Sequence, residues 1–410
     1  MRATREFTPR RCDIVARVTA GPRATIRRLS RAWWPRRPAA GAAPAAVSLG
    51  GDRPLRILYY GGAVDFAGTW RGHERILEAL DRSRFDPYVF YWPGDRNTRL
   101  DRVRGLVGDD HVVPFARAAR KGGRWRGYRP RSSDFGRLAR AFRFDIVHVA
   151  RSGYYEWPLI ERLAPLHVET NVFGARDTRG VLDRSIAPCE YVAGLRAGAD
   201  AVVYTPIPPP ALTGETLRGR LGIPEQAVVC GRIGRPANFH PIGLASFARL
   251  VAEFPHLHYV IVAPCEQARS WVATHRTPNV AFLPPTDDDA RIAAFHRTVD
   301  VFLHYRADGE TYGTALQQAL AYGIPVVSHY SGVYEGQVET IGDGGSVARD
   351  GEAYYAAARR LTADPAHRAL TAARARERAR SFEQAPIVRR IEQLYLAWHA
   401  EAVRGVDSPP

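Results

Sequence analysis

Short apolar runs rich in β-branched and aromatic residues recur along the chain, separated by stretches whose apolar positions fall at helical spacing. The first run, LRILYYGG (55–62), ends in glycines. In HERILEALDRS (73–83), Ile76, Leu77 and Leu80 share one face, which predicts a helix. PYVFYW (87–92) and HVV (111–113) read as strands, and SDFGRLARAF (133–142) as a helix opened by a Ser/Asp cap. DIVHVA (145–150), HVET (167–170) and AVVYT (201–205) read as further strands. Strands alternating with helices predict a parallel sheet covered on both faces.

The segment PIPPPALTGETLRGRLGIPE (206–225) interrupts this order. Its clustered prolines suit neither a helix nor a central strand, so a linker is expected there. The alternation then restarts. AVVCGRIG (227–234), LHYVIVA (257–263), VAFL (280–283), VDVFLH (299–304) and IPVVSH (324–329) read as strands. Helices are expected at 242–254, 266–275, 287–297 and 314–322, then at 351–362, 365–381 and 384–403. The expected organisation is an α/β chain with two doubly wound, Rossmann-like domains. A basic tail covers 1–52, a first domain 53–205, a linker 206–226 and a second domain 227–385. A closing helix at 386–410 returns to the first domain. Two such domains leave a cleft at the carboxyl ends of their strands, where open parallel sheets bind ligands.

Composition narrows the class. Hydrophobic residues make up 45% of the 410 and charged residues 24%, as in a globular protein. No apolar run approaches the roughly 18 residues of a membrane span. The four cysteines, Cys12, Cys189, Cys230 and Cys265, show neither zinc-site nor disulfide-framework spacing and are read as reduced thiols. The net charge of +16 is uneven: the first fifty residues hold eleven arginines against Glu6 and Asp13. That tail lacks the apolar core of a secretory signal, so a cytoplasmic location is expected. Arginines around Trp33 and Trp34 suit peripheral contact with an anionic inner membrane face; a plain solvated extension is the alternative. A second basic, aromatic segment at 117–131 carries the same two readings. No nucleic-acid module accompanies the charge, so a nucleic-acid partner is not expected.

The most informative stretch is ETYGTALQQALAYGIPVVSH (310–329). Thr311 is expected to cap a helix beginning near Tyr312, whose free N–H groups would form an anion site. Gly313 allows close approach of a ligand. Glu310 would repel a bare phosphate but accept hydrogen bonds from sugar hydroxyls. Gln318, eight residues on, can reach a hydroxyl-bearing ring, whereas Gln317, about 100° around the helix, is expected at the surface or between domains.

With its continuation HYSGVYEGQ, this stretch resembles the signature of retaining GT-B glycosyltransferases of the family 4 type. VVCGRIGRPANFHPIGLASFARL, GHERILEALDRSRFDPYVFYW and ARERARSFEQAPIVRRIEQLYLAW resemble further blocks of that family, and the likeness spans about residues 54–403. The resemblance implies a GT-B fold. The implied reaction moves a sugar from a nucleoside diphosphate sugar to a hydroxyl acceptor, a glycan, glycolipid or small glycoside, with retention and without a metal or other cofactor. It implies that Arg232, assisted by Arg235, binds the donor diphosphate. The backbone of Tyr312, Gly313 and Thr314 would hold phosphate and sugar, Glu310 the transferred sugar, and Gln318 the ribose. Gly61 and Gly62, or Gly72, would bring a loop of the first domain against the phosphates. Asn171 stands where many members have a histidine near the reacting sugar. The sequence departs from the family by Gln318 in place of a second glutamate. It also offers Arg235, Asn238 and His240 in place of a loop lysine. A GT-B-shaped binding protein without turnover is the alternative. Asp287 and its neighbours in TDDDA (286–290) read as helix-capping acids rather than a metal motif, and His148 as structural.

Overall fold

The computed structural model describes residues 53–60, 64, 68–94, 97–115, 133–151, 161–175, 181–195, 198–235 and 238–407. The arginine-rich tail, the basic 117–131 segment, Gly61 and Gly62 lie outside the described residues.

Two parallel sheets carry the chain, as the alternation predicts. The first is built from β1 (Leu55–Tyr60), β2 (Phe85–Tyr91), β3 (Val112–Pro114), β4 (Ile146–Arg151), β5 (Leu166–Asn171), β6 (Arg184–Ala187) and β7 (Ala201–Val202). Their order is β3-β2-β1-β4-β5-β6-β7. The second contains β8 (Val229–Arg232), β9 (His258–Val262), β10 (Val280–Leu283) and β11 (Val301–Leu303). After a two-residue strand, β12 (Gly309–Glu310), follow β13 (Val326–His329), a second short strand β14 (Tyr334–Glu335) and β15 (Gly345–Ala348). The second sheet runs β10-β9-β8-β11-β13-β15, and β12 pairs β14 in a small separate ribbon. The recorded strand pairings are all parallel. The long strands are buried on both faces, which is why they read as continuous apolar runs. Ile57, Val89 and Val168 pack on one face of the first sheet, and Leu58, Phe90 and Val147 on the other. Val229, Val260 and Phe302 pack on one face of the second, and Cys230, Tyr259 and Leu303 on the other.

The chain crosses between the two sheets twice, and the crossings touch. Ile207 N donates to Phe382 O at 2.7 Å and Gln384 N donates to Ile207 O at 3.1 Å. The fully buried Arg75 donates from Nη1 to Pro206 O at 3.2 Å. Past this crossing the Gln384–Asp407 helix lays Val388, Ile391, Leu394 and Tyr395 against the first sheet's core. Tyr395 Oη meets Tyr59 Oη at 3.0 Å and His148 Nδ1 at 2.6 Å, while His148 Nε2 meets Thr170 Oγ1 at 2.9 Å. His148 is thus a hydrogen-bonded core residue, and burial drives its pKa down.

Several local expectations need correction. The helix expected at 73–83 runs from Gly68 to Ala79, so Gly72 lies within it and not on a loop. The strand expected at 201–205 is only Ala201–Val202. The linker contains one helical turn, Arg218–Leu221. Strands β6 and β15 and the helices Leu100–Val107 and Gly336–Ile341 are unpredicted, although Leu100, Val103, Leu106 and Val107 of the first helix share one face.

Candidate functional site

The second sheet reverses its strand order between β8 and β11, and at such a switch point the carboxyl ends of the strands open a crevice. Arg232 is the last residue of β8, His304 follows β11 directly, and His329 ends β13. Three polar side chains therefore converge at one edge of an otherwise apolar sheet, each under 5% exposed.

Arg232 has an unusual environment. Its guanidinium lies 4.3 Å from the Tyr305 ring centroid. Nη2 donates to Arg235 O at 3.3 Å, and Nε is buried without a hydrogen-bond partner among the described residues. No carboxylate pairs with it at salt-bridge distance among the described residues. Its charge is met by the Tyr305 ring, a carbonyl and the field of nearby Glu310 without a direct ion pair, so the guanidinium keeps donor capacity for an added anion. Arg235 itself is exposed.

Glu310 sits beside this cation on the β12–β14 ribbon. His304 Nε2 is 3.3 Å from Glu310 Oε1, and Arg306 Nη1 stands 3.4 Å from both carboxylate oxygens. Arg306 is anchored in turn by a two-point contact with Asp308 at 3.0 Å. Burial alone would raise the Glu310 pKa. The His304 hydrogen bond and the charges of Arg306 and Arg232 outweigh it and hold the carboxyl below its usual value. The backbone is fixed as well. Glu310 N donates to Gln337 Oε1 at 3.0 Å, and Gln337 Nε2 donates to His329 O at 3.0 Å. Gly336 permits this contact, since a Cβ there would stand 1.8 Å from Thr311 O.

The helix after Glu310 begins at Thr314, not Tyr312. Its N-cap is Gly313, in the left-handed region at φ 76°, and no side chain caps it. Thr311 is therefore not the cap; its carbonyl accepts from Cys189 Sγ at 3.3 Å. Leu316 N donates to Gly313 O, but without a side-chain cap the N–H groups of Thr314 and Ala315 remain available to an anion. The Tyr312 side chain packs with Val172, Ala187, Cys189 and Val192 of the first domain, while its carbonyl accepts from Thr340 Oγ1 of the second. Burial raises its phenol pKa. A Cβ on Gly68 would stand 3.6 Å from Thr314 Oγ1, so the Gly68–Ala79 helix opens directly onto the start of the Thr314–Ala321 helix. Gly72 lines a small internal cavity of about 20 Å³ with Thr205 and Tyr312. A Cβ at Gly72 would meet only Thr205 Cγ2, at 3.6 Å.

Two residues behave differently from expectation. Asn171 is 3% exposed and spends its whole amide on Glu169 of β5 and on the turn that follows the strand. Its Oδ1 accepts from Phe173 N and Gly174 N at 3.3 and 2.9 Å, and its Nδ2 donates to Glu169 Oε1 and Ala175 O. With two acceptor and two donor positions used, no hydrogen-bonding capacity is left for a substrate. Gln317 is the buried glutamine, at 0% exposure, and neither amide atom has a partner among the described residues. It is not a surface residue. Gln318 is half-buried.

The acids at 287–289 split their work. Asp288 caps the Asp289–Thr298 helix, accepting from Ala290 N at 2.9 Å and Arg291 N at 3.4 Å. Asp289 faces the first domain, where Arg71 and Arg99 reach it at 2.8 and 3.0 Å. Among the described residues no cluster of three His, Cys, Asp or Glu could hold a metal ion. A groove of about 500 Å³ lies at the other, amino-terminal edge of the second sheet, near Val299 and Pro325. Its Arg297 donates to Glu215 O and Ala211 O of the linker, and Arg368 and Arg376 also line it. His304, Arg306 and Gln337 are absent from the sequence-derived site. Gln337 lay within the recognised block, but only the fold brings His304 and Arg306 against Glu310.

The comparisons with known proteins agree with this architecture. Residues 224–364 match the family model described as glycosyl transferases group 1. A phosphatidyl-myo-inositol mannosyltransferase from Mycolicibacterium smegmatis is 28% identical over 189 residues, 45% of this chain and 47% of that protein, so the match spans about half of each. Among solved structures, Anabaena Alr3699/HepE in complex with UDP and glucose superposes with a TM-score of 0.66 at 16% identity, covering 84% of this chain and all of the other. An O-GlcNAc transferase mutant from Thermobaculum terrenum superposes at 0.60 with 20% identity, covering 89% of this chain and 71% of that one. The fold is GT-B: two Rossmann-like domains facing a cleft. The family-model match falls on the second domain.

Proposed function

We propose that the protein is a retaining glycosyltransferase of the family 4 type, which moves a sugar from a nucleoside diphosphate sugar to a hydroxyl of a glycan or lipid-linked acceptor. The observation that carries this reading is Arg232, a guanidinium 4% exposed with no carboxylate partner, beside a carboxylate held ionised. A diphosphate supplies the missing anion, and Glu310 accepts hydrogen bonds from the sugar's hydroxyls. The uncapped start of the Thr314–Ala321 helix adds N–H donors for the phosphate. Gln318, on its second turn, reaches the ribose. The chain thus acts by positioning the donor and by stabilising the charge that develops on the leaving diphosphate, in a site already organised for it. Arginine and backbone N–H groups perform the neutralisation a metal ion provides elsewhere, so metal independence is part of the proposal.

The mannosyltransferase relative acts, by its name, on a phosphatidyl-inositol acceptor, and HepE holds UDP and glucose. Both support a sugar nucleotide and a glycolipid-like acceptor as the substrates to try first. We place the protein in the cytoplasm, with the arginine-rich tail as its contact with an anionic membrane face. No helix of the described residues is long and apolar enough to cross a membrane. The test is transfer or slow hydrolysis of UDP-, GDP-, ADP- and dTDP-sugars in EDTA, with the product anomer read by NMR. Turnover with retention supports the reading. Donor binding without turnover across the panel and a range of hydroxyl acceptors leaves a silent binding protein instead.

A further inference from the structure

Behind Glu310 and its partner His304 stands a second side chain, Ser328, that the site as described does not use. His304 is 4% exposed and Ser328 is fully buried. Ser328 Oγ lies 2.8 Å from His304 Nδ1, and His304 Nε2 lies 3.3 Å from Glu310 Oε1. The three groups form a line from the interior of the second sheet to the cleft. Ser328 cannot be a nucleophile, because no substrate reaches it. The imidazole is fixed from a third direction: Tyr354 Oη donates to the His304 carbonyl at 3.0 Å, holding the backbone that carries it.

The hydrogen-bond inventory decides what such a line does. A neutral imidazole has one N–H and one bare nitrogen. Glu310, ionised, only accepts, so Nε2 must carry the proton. Nδ1 is then the acceptor, and Ser328 is the donor that selects this tautomer. We infer that Ser328 and His304 are a positioning pair that engages Oε1 of Glu310 and leaves Oε2 as the oxygen offered to a ligand hydroxyl. Arg306, at 3.4 Å from each oxygen, supplies charge rather than direction.

The groups around the imidazole agree with a neutral ring. Glu310 and His329 face it from the β12 and β13 elements, and Arg232 and Arg306 from β8 and the loop after β11. Burial lowers the His304 pKa, and the two arginines lower it further. The hydrogen bond and charge of Glu310 oppose this without reversing it. The ligand hydroxyl in this inference rests on the glycosyl-transfer reading; the tautomer and the line of contacts do not.

The test therefore has two arms. In the first, the full chain labelled with ¹⁵N-histidine is studied by long-range ¹H–¹⁵N NMR, and His304 is assigned by the signal lost in His304→Gln. The expected result is a neutral Nε2–H tautomer at pH 7, which becomes a tautomer mixture in Ser328→Ala. A neutral Nδ1–H ring, an imidazolium, or a ring unchanged by Ser328→Ala overturns the inference whether or not the protein transfers sugar. In the second arm, affinity for UDP-glucose and for free UDP is compared by titration. His304→Ala should weaken UDP-glucose about tenfold and leave UDP within twofold, while His304→Gln, whose amide can replace the Nε2–H donor, recovers most of the loss. Equal loss for both ligands, or no recovery by glutamine, assigns His304 to general structure and overturns its positioning role. If neither ligand binds the native protein, the donor reading fails, and the first arm still decides the pair.

Discussion

Arg99 of the first domain donates from Nη2 to Asp289 of the second at 3.0 Å, while the same guanidinium is held by the fully buried Glu74. Arg71 completes the link, bonding both Glu74 and Asp289. The interdomain contact is therefore made by arginines already fixed within their own domain, so little side-chain entropy is lost in forming it. Burial opposes ionisation of Asp289, yet Arg71, Arg99 and Arg102 lower its pKa on balance. A carboxylate with a depressed pKa contributes stability above its unfolded value of about 3.9, lost as pH falls through the folded value. Asp289→Asn should thus weaken this contact between the domains by up to about 1 kcal/mol. Small-angle scattering at neutral pH should show a larger radius of gyration for the variant. The native protein should show the same expansion only in acid. Identical scattering curves at neutral pH would remove Asp289 from domain closure.

Gln317 invites a stability test. Both its amide atoms are buried without partners among the described residues, beside Leu316 and Leu320 on the same helix. An unsatisfied buried polar group costs about 1–3 kcal/mol. Replacing it with leucine, of similar volume, should raise the chemical-denaturation midpoint by a corresponding amount without changing the slope. A lower midpoint means that the amide has a partner, such as an enclosed water.

Gln318 should behave oppositely, with an effect on binding and not on folding. Gln318→Ala is expected to weaken nucleotide binding by roughly 1 kcal/mol, the net worth of one neutral hydrogen bond. Gln318→Glu should retain or improve it, because a carboxylate accepts from two ribose hydroxyls. Titration calorimetry on both variants checks this, and abolished binding in Gln318→Glu refutes the register of the site.

The pH dependence of donor binding has a definite sign. Glu310 binds hydroxyls as a carboxylate, and its pKa is lowered in the folded protein. Affinity for a sugar nucleotide should stay level as pH drops from 8 to about 5, and fall only below the ordinary glutamate value of about 4.3. Loss of affinity beginning near pH 6.5 points instead to a histidine.

Periodic elements were the legible part of the sequence. The Ser133–Phe142 and Glu266–His275 helices and β10 occupy their predicted residues, because the apolar pattern and the element bounds agree there. β6 and β15 are four residues each, with a single large apolar side chain apiece, Ile186 and Val347, and take their strand form from neighbours already in the sheet. At the site, the Glu310 block was legible because its chemistry is contiguous. His304 and Ser328 are 24 residues apart and meet only because β11 and β13 are adjacent, which no local period reveals. Gln317 shows the limit from another side: its angle from Gln318 allows either the surface or the space between domains, and tertiary packing buries it. Asn171 likewise reads as a polar residue at a strand end, and only the turn at 171–175 shows that its amide is already occupied.

The central claim is that Arg232 is a buried cation awaiting a diphosphate. It is tested most directly by calorimetric titration of UDP and GDP, in EDTA, into the native protein and Arg232→Gln. The native protein should bind at least one of the two without added metal. The variant should remain folded by circular dichroism and lose about 1.5–3 kcal/mol of binding energy, the worth of a hydrogen bond to a charged group. That is roughly a tenfold to hundredfold rise in Kd. Unchanged affinity in a folded Arg232→Gln protein would contradict the account and move the phosphate site elsewhere in the cleft.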